Sequence, residues 1–214
     1  MLPDSARAAR VATLGLQGPL RGDGLADVRA AAADPSPRVR VAAVGALVRA
    51  APARVAASAW ATAARDPEPA VRRRAAEVAP ALGERRRTPD PAVAATLVTL
   101  LEDRDVTVVE AAAWALGEMG ASAGPAAIDA LAGTVARHDD PLAREAAVAA
   151  LGAIGDHAGL AAILAACHDK PAVRRRAVLA LAPFTGPEVE TAVAAALDDR
   201  DWQVRQAAED LSDA

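Results

Sequence analysis

Cys167 and His168 stand side by side, and a thiol beside an imidazole is the one pairing in this sequence that could supply an activated nucleophile. Neighbours on a helix point about 100° apart, so the two side chains would not face each other. Cys167 also continues the apolar spacing of Leu160, Ile163 and Leu164, which predicts a buried filler. His138 and His168 fall in corresponding turns beside Asp139 and Asp169, and His157 lies between them. Two loop histidines do not make a tetrahedral ligand set, so no metal is expected. There is no GxSxG elbow, and the glycines from Gly15 to Gly24 have the wrong surroundings for a phosphate cradle. The chain reads as a non-enzyme without a cofactor.

Charge is the remaining chemistry. Three arginine triplets, Arg72 to Arg74, Arg85 to Arg87 and Arg174 to Arg176, could touch phosphates, which makes nucleic-acid binding an alternative reading. The formal charge of −4 argues against it. Residues 1–107 hold 16 Arg against 12 acids, net +4, and residues 108–214 hold 8 Lys plus Arg against 16 acids, net −8. That asymmetry makes the chain an electrostatic dipole able to orient a partner.

A repeat must position these residues. A phrase of the form Val-Arg, Ala at helical spacing, then Leu-Gly begins at residues 6, 39, 71, 108, 143, 173 and 204, at intervals of 33, 32, 37, 35, 30 and 31. A period of that length signals a solenoid. Acidic turns precede most copies, as in Asp34-Pro35-Ser36-Pro37, Asp66-Pro67-Glu68-Pro69 and Asp199-Arg200-Asp201. Asp offers an acceptor to the orphan N–H groups of a first helical turn, and Pro tolerates the first helical position. A second apolar segment separates each phrase from the next turn, so each repeat predicts a helical hairpin, with about thirteen helices in all. A hydrophobic content of 53% with only 2% aromatic residues suits thin Ala-rich helical layers. The insertion at 83–91 accounts for the interval of 37 and predicts a bend within a single domain, 1–214.

This pattern resembles the HEAT-repeat family, particularly the bacterial branch named after the phycobilisome lyases, over essentially the whole chain. The resemblance implies an all-α fold, an α-solenoid wound as a right-handed superhelix of about six and a half hairpins. It also implies that Arg40, Arg72, Arg144, Arg174 and Arg205 are structural, facing turn acids such as Asp34, Asp66, Asp103, Asp140, Asp169 and Asp199. Val109 stands where one Arg is expected. A chromophore lyase or lyase subunit is the enzymatic alternative, though fold does not carry function. Deoxyhypusine hydroxylases resemble HEAT repeats carrying His-Glu pairs, and this sequence has none.

Trp114 points to binding. Six places after its anchor, it stands where other copies carry Ala12, Gly45, Glu77, Ala149, Leu179 and Asp210, a mixture that no demanding core position would accept. Glu110 and Glu118 flank it at four-residue spacing, so an aromatic anchor rimmed by acids is expected on the concave strip. The same spacing adds Arg73, Glu77, Glu145, Arg175, Leu179, Gln206 and Asp210. Trp60 and Phe184 are expected in the core, and Trp202 over the end of the stack. The function read from this is a scaffold or adaptor binding a protein or peptide, with acids selecting a basic partner. The lone Cys167 suits a reducing bacterial cytoplasm, Asp4, Arg7 and Arg10 do not suit a signal peptide, and the longest apolar run is about half of the ~20 residues needed to cross a bilayer.

Overall fold

The computed structural model describes residues 2–84 and 90–212, and every regular element among them is helical. Arg85, Arg86 and Arg87 of the basic insertion lie outside the described residues. Packing divides the chain into two units, Met1–Thr96 and Leu97–Ala214. In the first, α1 (Asp4–Leu16), α3 (Pro37–Ala50) and α5 (Pro69–Val78) form one layer, and α2 (Gly22–Ala31) and α4 (Ala53–Ala63) back it. The short α6 (Pro80–Glu84) follows. Pro80 has no N–H to extend α5 but presets φ for a new turn. That break gives fourteen α-helices among the described residues, one more than the repeat pattern predicts.

The division between the units falls within α7 (Pro91–Leu100). The second unit stacks α8 (Val106–Met119), α10 (Pro141–Ile154), α12 (Pro171–Ala180) and α14 (Trp202–Ser212) as one layer. Behind it lie α9 (Pro125–Arg137), α11 (Leu160–Ala166) and α13 (Pro187–Leu197). The phrase residues explain the layer. The anchors Val39, Val71, Val108, Ala143, Val173 and Val204 and the phrase leucines Leu47, Leu116, Leu151 and Leu181 are all buried, each leucine contributing about 1.5–3 kcal/mol by leaving water. The glycine after the leucine has a different task. A Cβ built on Gly152 would lie 2.7 Å from the Cα of Ala180, and one on Gly117 would lie 3.1 Å from the Cα of Ala150. Successive helices of the layer therefore touch backbone to backbone.

The recurrent Asp bends the chain ahead of the helix. Asp34, Asp66, Asp103 and Asp199 accept from the N–H of the residue two places on, at 2.8, 2.9, 3.0 and 2.8 Å, an Asx turn. Where a second Asp stands at the N-cap, that Asp caps the helix: Asp105 accepts from Thr107, Asp140 from Leu142 and Asp201 from Gln203, whereas Glu68 at the same place makes no side-chain cap. The expectation that the recurrent Asp itself caps the first turn is corrected in this respect.

Four turn acids, Asp34, Asp66, Asp169 and Asp199, also receive the Arg of the preceding repeat. The Nε and Nη2 of Arg40 donate to Asp66 at 2.8 Å each. Those of Arg144 donate to Asp169 at 2.6 and 2.8 Å, and those of Arg174 to Asp199 at 2.8 and 2.7 Å. Arg7 reaches Asp34 in the same way. The third nitrogen, Nη1, turns back to carbonyls of the Arg's own turn: Asp34 and Pro35 for Arg40, Asp66 and Pro67 for Arg72, His138 and Asp139 for Arg144, and Asp199 for Arg205. A planar guanidinium fork suits this double duty, holding a carboxylate and backbone carbonyls in one geometry.

The irregular rung at Val109 is changed on both sides. Val109 is fully buried, and the bending position of the next turn is His138, whose Nδ1 accepts the N–H of Asp140 at 3.1 Å. A valine thus replaces the guanidinium and an imidazole replaces the carboxylate, so no half-buried charge is left without its partner. Asp140, grouped by sequence with the ladder acids, serves instead as the cap of α10.

Two outcomes follow. Gly152→Ala must push apart two backbones and should lower unfolding stability by about 1–3 kcal/mol. Gly133→Ala meets only the mobile end of Arg137 and should be neutral or stabilising by up to ~1 kcal/mol, so urea melts should move in opposite directions. Asp169 is held below the ordinary carboxylate range, chiefly by the hydrogen bond from Arg144. A depressed carboxyl stabilises fully above its unfolded value near ~4, and the benefit is lost as pH falls through the lower folded value. Arg144→Met should therefore cost about 2–3 kcal/mol at pH ~7 and unfold with a flatter dependence than wild type below pH ~4, as measured by circular dichroism.

Candidate functional site

Because the helices of the second unit's layer approach so closely, only small side chains fit between them, and larger ones must stand outward. On α8 the outward stripe is Glu110, Trp114 and Glu118, while Val108, Val109, Ala111 to Ala113 and Ala115 to Gly117 are buried. Trp114 is 48% exposed. On α10 the facing stripe is Leu142, itself 41% exposed, followed by Glu145, Ala146 and Ala149. These residues, with Arg176 of α12, enclose a groove of about 350 Å³ whose floor is alanine and glycine.

The charges around the groove differ in what they are bound to. Glu145 lies 3.5 Å from the Nη2 of Arg176 and 3.8 Å from that of Arg175. Glu110 and Glu118 are exposed and make no ion pair among the described residues. On α5 of the first unit, Glu77 is held at 3.0 Å by Arg73 and at 3.0 Å by Arg74, so those expected contact residues neutralise one another. Leu179 is 38% exposed on α12 but does not line the groove. On α14, Gln206 donates to Asp210 at 2.9 Å.

Leu142 was not singled out by sequence, and Arg176 only as part of a basic triplet. Both sit on the expected stripes, seven residues before Ala149 and three before Leu179, and that spacing could have found them. A larger groove of about 480 Å³ opens in the first unit over Val44, Leu47 and Val55, with Arg29 and Arg54 on its lining. It has no aromatic residue, and its one acid, Asp66, is already bound to Arg40.

The residues with potential for covalent or metal chemistry are otherwise engaged. Burial pushes the Cys167 thiol up to about 11, and its Sγ lies 3.6 Å from the Ile163 carbonyl oxygen, so little reactive thiolate forms near neutrality. His157 packs edge-on against Phe184 at 5.5 Å. Among the described residues, no three His, Cys, Asp or Glu side chains are grouped to hold a metal ion, and no helix is long and apolar enough to cross a membrane. Trp60 is buried and its Nε1 donates to the Ala75 carbonyl at 2.7 Å. Phe184 is likewise buried. Trp202, expected to cover the end of the stack, is 64% exposed.

The sequence profile of HEAT repeats matches residues 57–151 and 132–211. Among solved structures, YibA of E. coli superposes with a TM-score of 0.72 at 16% identity, over 94% of this chain and 74% of its own. The complex of CpcE and CpcF of phycocyanin lyase from Nostoc sp. PCC7120 gives 0.58 at 26% identity, over 89% and 76%. A designed armadillo repeat protein in complex with peptide (KR)4 gives 0.53 at 16% identity, over 96% and 90%. No curated protein matches the chain by sequence.

Proposed function

The chain belongs to the HEAT-repeat family, and from that premise we propose that it is a non-catalytic scaffold holding a protein or peptide partner on the exposed face of α8, α10 and α12. The observation that carries this reading is Trp114, an indole left 48% exposed above a groove floored by alanine. A solvated indole forgoes a large apolar burial that a partner can supply, and buried aromatics of this kind dominate interface energies. The floor is set by backbone contacts between helices, so the groove is rigid before the partner arrives and little ordering entropy is lost on binding. The peptide complex of the structurally similar armadillo protein supports the same use of a repeat surface.

The test is a random peptide library displayed on phage and panned on the purified chain. Clones should be enriched whose binding falls at least ~10-fold with Trp114→Ala, the cost of a typical interface anchor, and is unchanged by Trp202→Ala. Equal binding to the Trp114→Ala protein would reject the site.

A second reading, a chromophore lyase or lyase subunit, is favoured by the likeness to the CpcE and CpcF complex. Coexpression with a tetrapyrrole separates the two. The scaffold reading expects colourless purified protein, and retained absorbance would favour the lyase.

A further inference from the structure

The acids of the outward stripe are not equivalent, and the difference specifies a ligand. Glu145 is shared between Arg175 and Arg176, and Glu77 between Arg73 and Arg74. Glu110 and Glu118 lie one helical turn before and after Trp114, exposed and without an ion pair among the described residues. The indole face thus stands between two free carboxylates. The unit that carries them, Leu97–Ala214, holds 9 Lys plus Arg against 19 acids, a net of −10, so its field adds to theirs.

The opposite side of the groove has different chemistry. Leu142 is 41% exposed, the floor is Gly117, Ala146, Ala149 and Ala150, and the far end is closed by Arg176. Arg176 itself is a cation, which disfavours a second positive charge deep in the groove. Resting on the reading of this face as a peptide site, we propose that the groove between α8 and α10 recognises a single arginine or lysine side chain of an extended peptide. Its cationic head stacks on Trp114 between Glu110 and Glu118, and small apolar neighbours in the peptide lie along the alanine floor toward Leu142. Each part follows from general chemistry. A cation over an indole is attracted by the ring quadrupole, free carboxylates complete its solvation by charge-assisted hydrogen bonds, and a floor without large side chains admits a peptide backbone where the peptide's own side chains are small.

The experiment uses the full chain and three fluorescein-labelled peptides of alternating Ala and Ser that differ only at the central residue: Arg, citrulline or Glu. Citrulline keeps the shape of Arg and removes its charge. Fluorescence anisotropy at ~50 mM salt should show the Arg peptide binding roughly 10-fold or more tightly than citrulline, with no binding of the Glu peptide, and the advantage should shrink as salt rises to ~500 mM. The double variant Glu110→Gln, Glu118→Gln should bring Arg down to the citrulline level, and Trp114→Phe should weaken Arg binding ~3-fold. All three substitutions are at exposed positions, and circular dichroism checks that the variants remain folded. Equal binding of Arg and citrulline, absence of Arg binding, or an unchanged affinity in the double variant would each overturn the proposal. Phage-derived ligands that depend on Trp114 yet contain no basic residue would overturn it while leaving the scaffold reading in place.

Discussion

Backbone contact between successive helices of one layer is the constraint on which the rest depends. Where Gly152 meets Ala180 there is no room even for a methyl group on the glycine, and where Gly117 meets Ala150 a methyl group would be tightly crowded. That closeness explains a composition rich in alanine and poor in aromatics, because helices in contact at their backbones need few large residues to fill the space between them. It also decides what is visible from outside. A residue on the outward stripe cannot sink into the layer, so its chemistry is presented to solvent, and the character of the surface is set by one position per helix turn.

The turns solve the problem that such thin layers create. Loops between short helices carry many carbonyl and N–H groups that a small core cannot shelter. One aspartate and one arginine per repeat satisfy most of them: the carboxylate accepts a backbone N–H of its own turn and two guanidinium N–H groups of the preceding repeat, and the remaining nitrogen returns to carbonyls. The exchange of Arg for Val109 together with Asp for His138 obeys the same logic. Losing only one member would leave a charge in a half-buried turn, whereas changing both keeps the Asx-like bend and removes both charges.

The candidate site arises where these two rules leave something over. Charged residues on the outward stripes largely pair within or between neighbouring helices, as Glu77 and Glu145 do. At α8 the buried positions are valine, alanine, leucine and glycine, no arginine of α8 itself joins the stripe, and Glu110 and Glu118 remain free of ion pairs beside an indole. The proposed binding surface is thus a local shortage of cations on an otherwise compensated layer, which a cation brought by a partner would complete.

Much of this was legible in the sequence. The interval of 30 to 37 residues between phrases, the Pro and Asp at helix starts and the Val and Leu at buried spacings fix hairpins and a solenoid, because helical periodicity and capping are local and short-range. The Arg and Asp ladder was legible as a set of residues, but its pairing was not: Arg144 joins the carboxylate of Asp169, 25 residues away, and not those of the nearby Asp139 or Asp140. The facing of the tryptophans was legible only in part. Trp60 is 3% exposed and Trp114 48%, both as expected, whereas Trp202, expected over the end of the stack, is 64% exposed. The sequence by itself determined the helices, their period and the residues that line each stripe. Tertiary structure alone decided how far Trp202 meets water and which carboxylates stay unpaired, since the pairing depends on side chains delivered by a neighbouring helix whose distance along the chain carries no local signal.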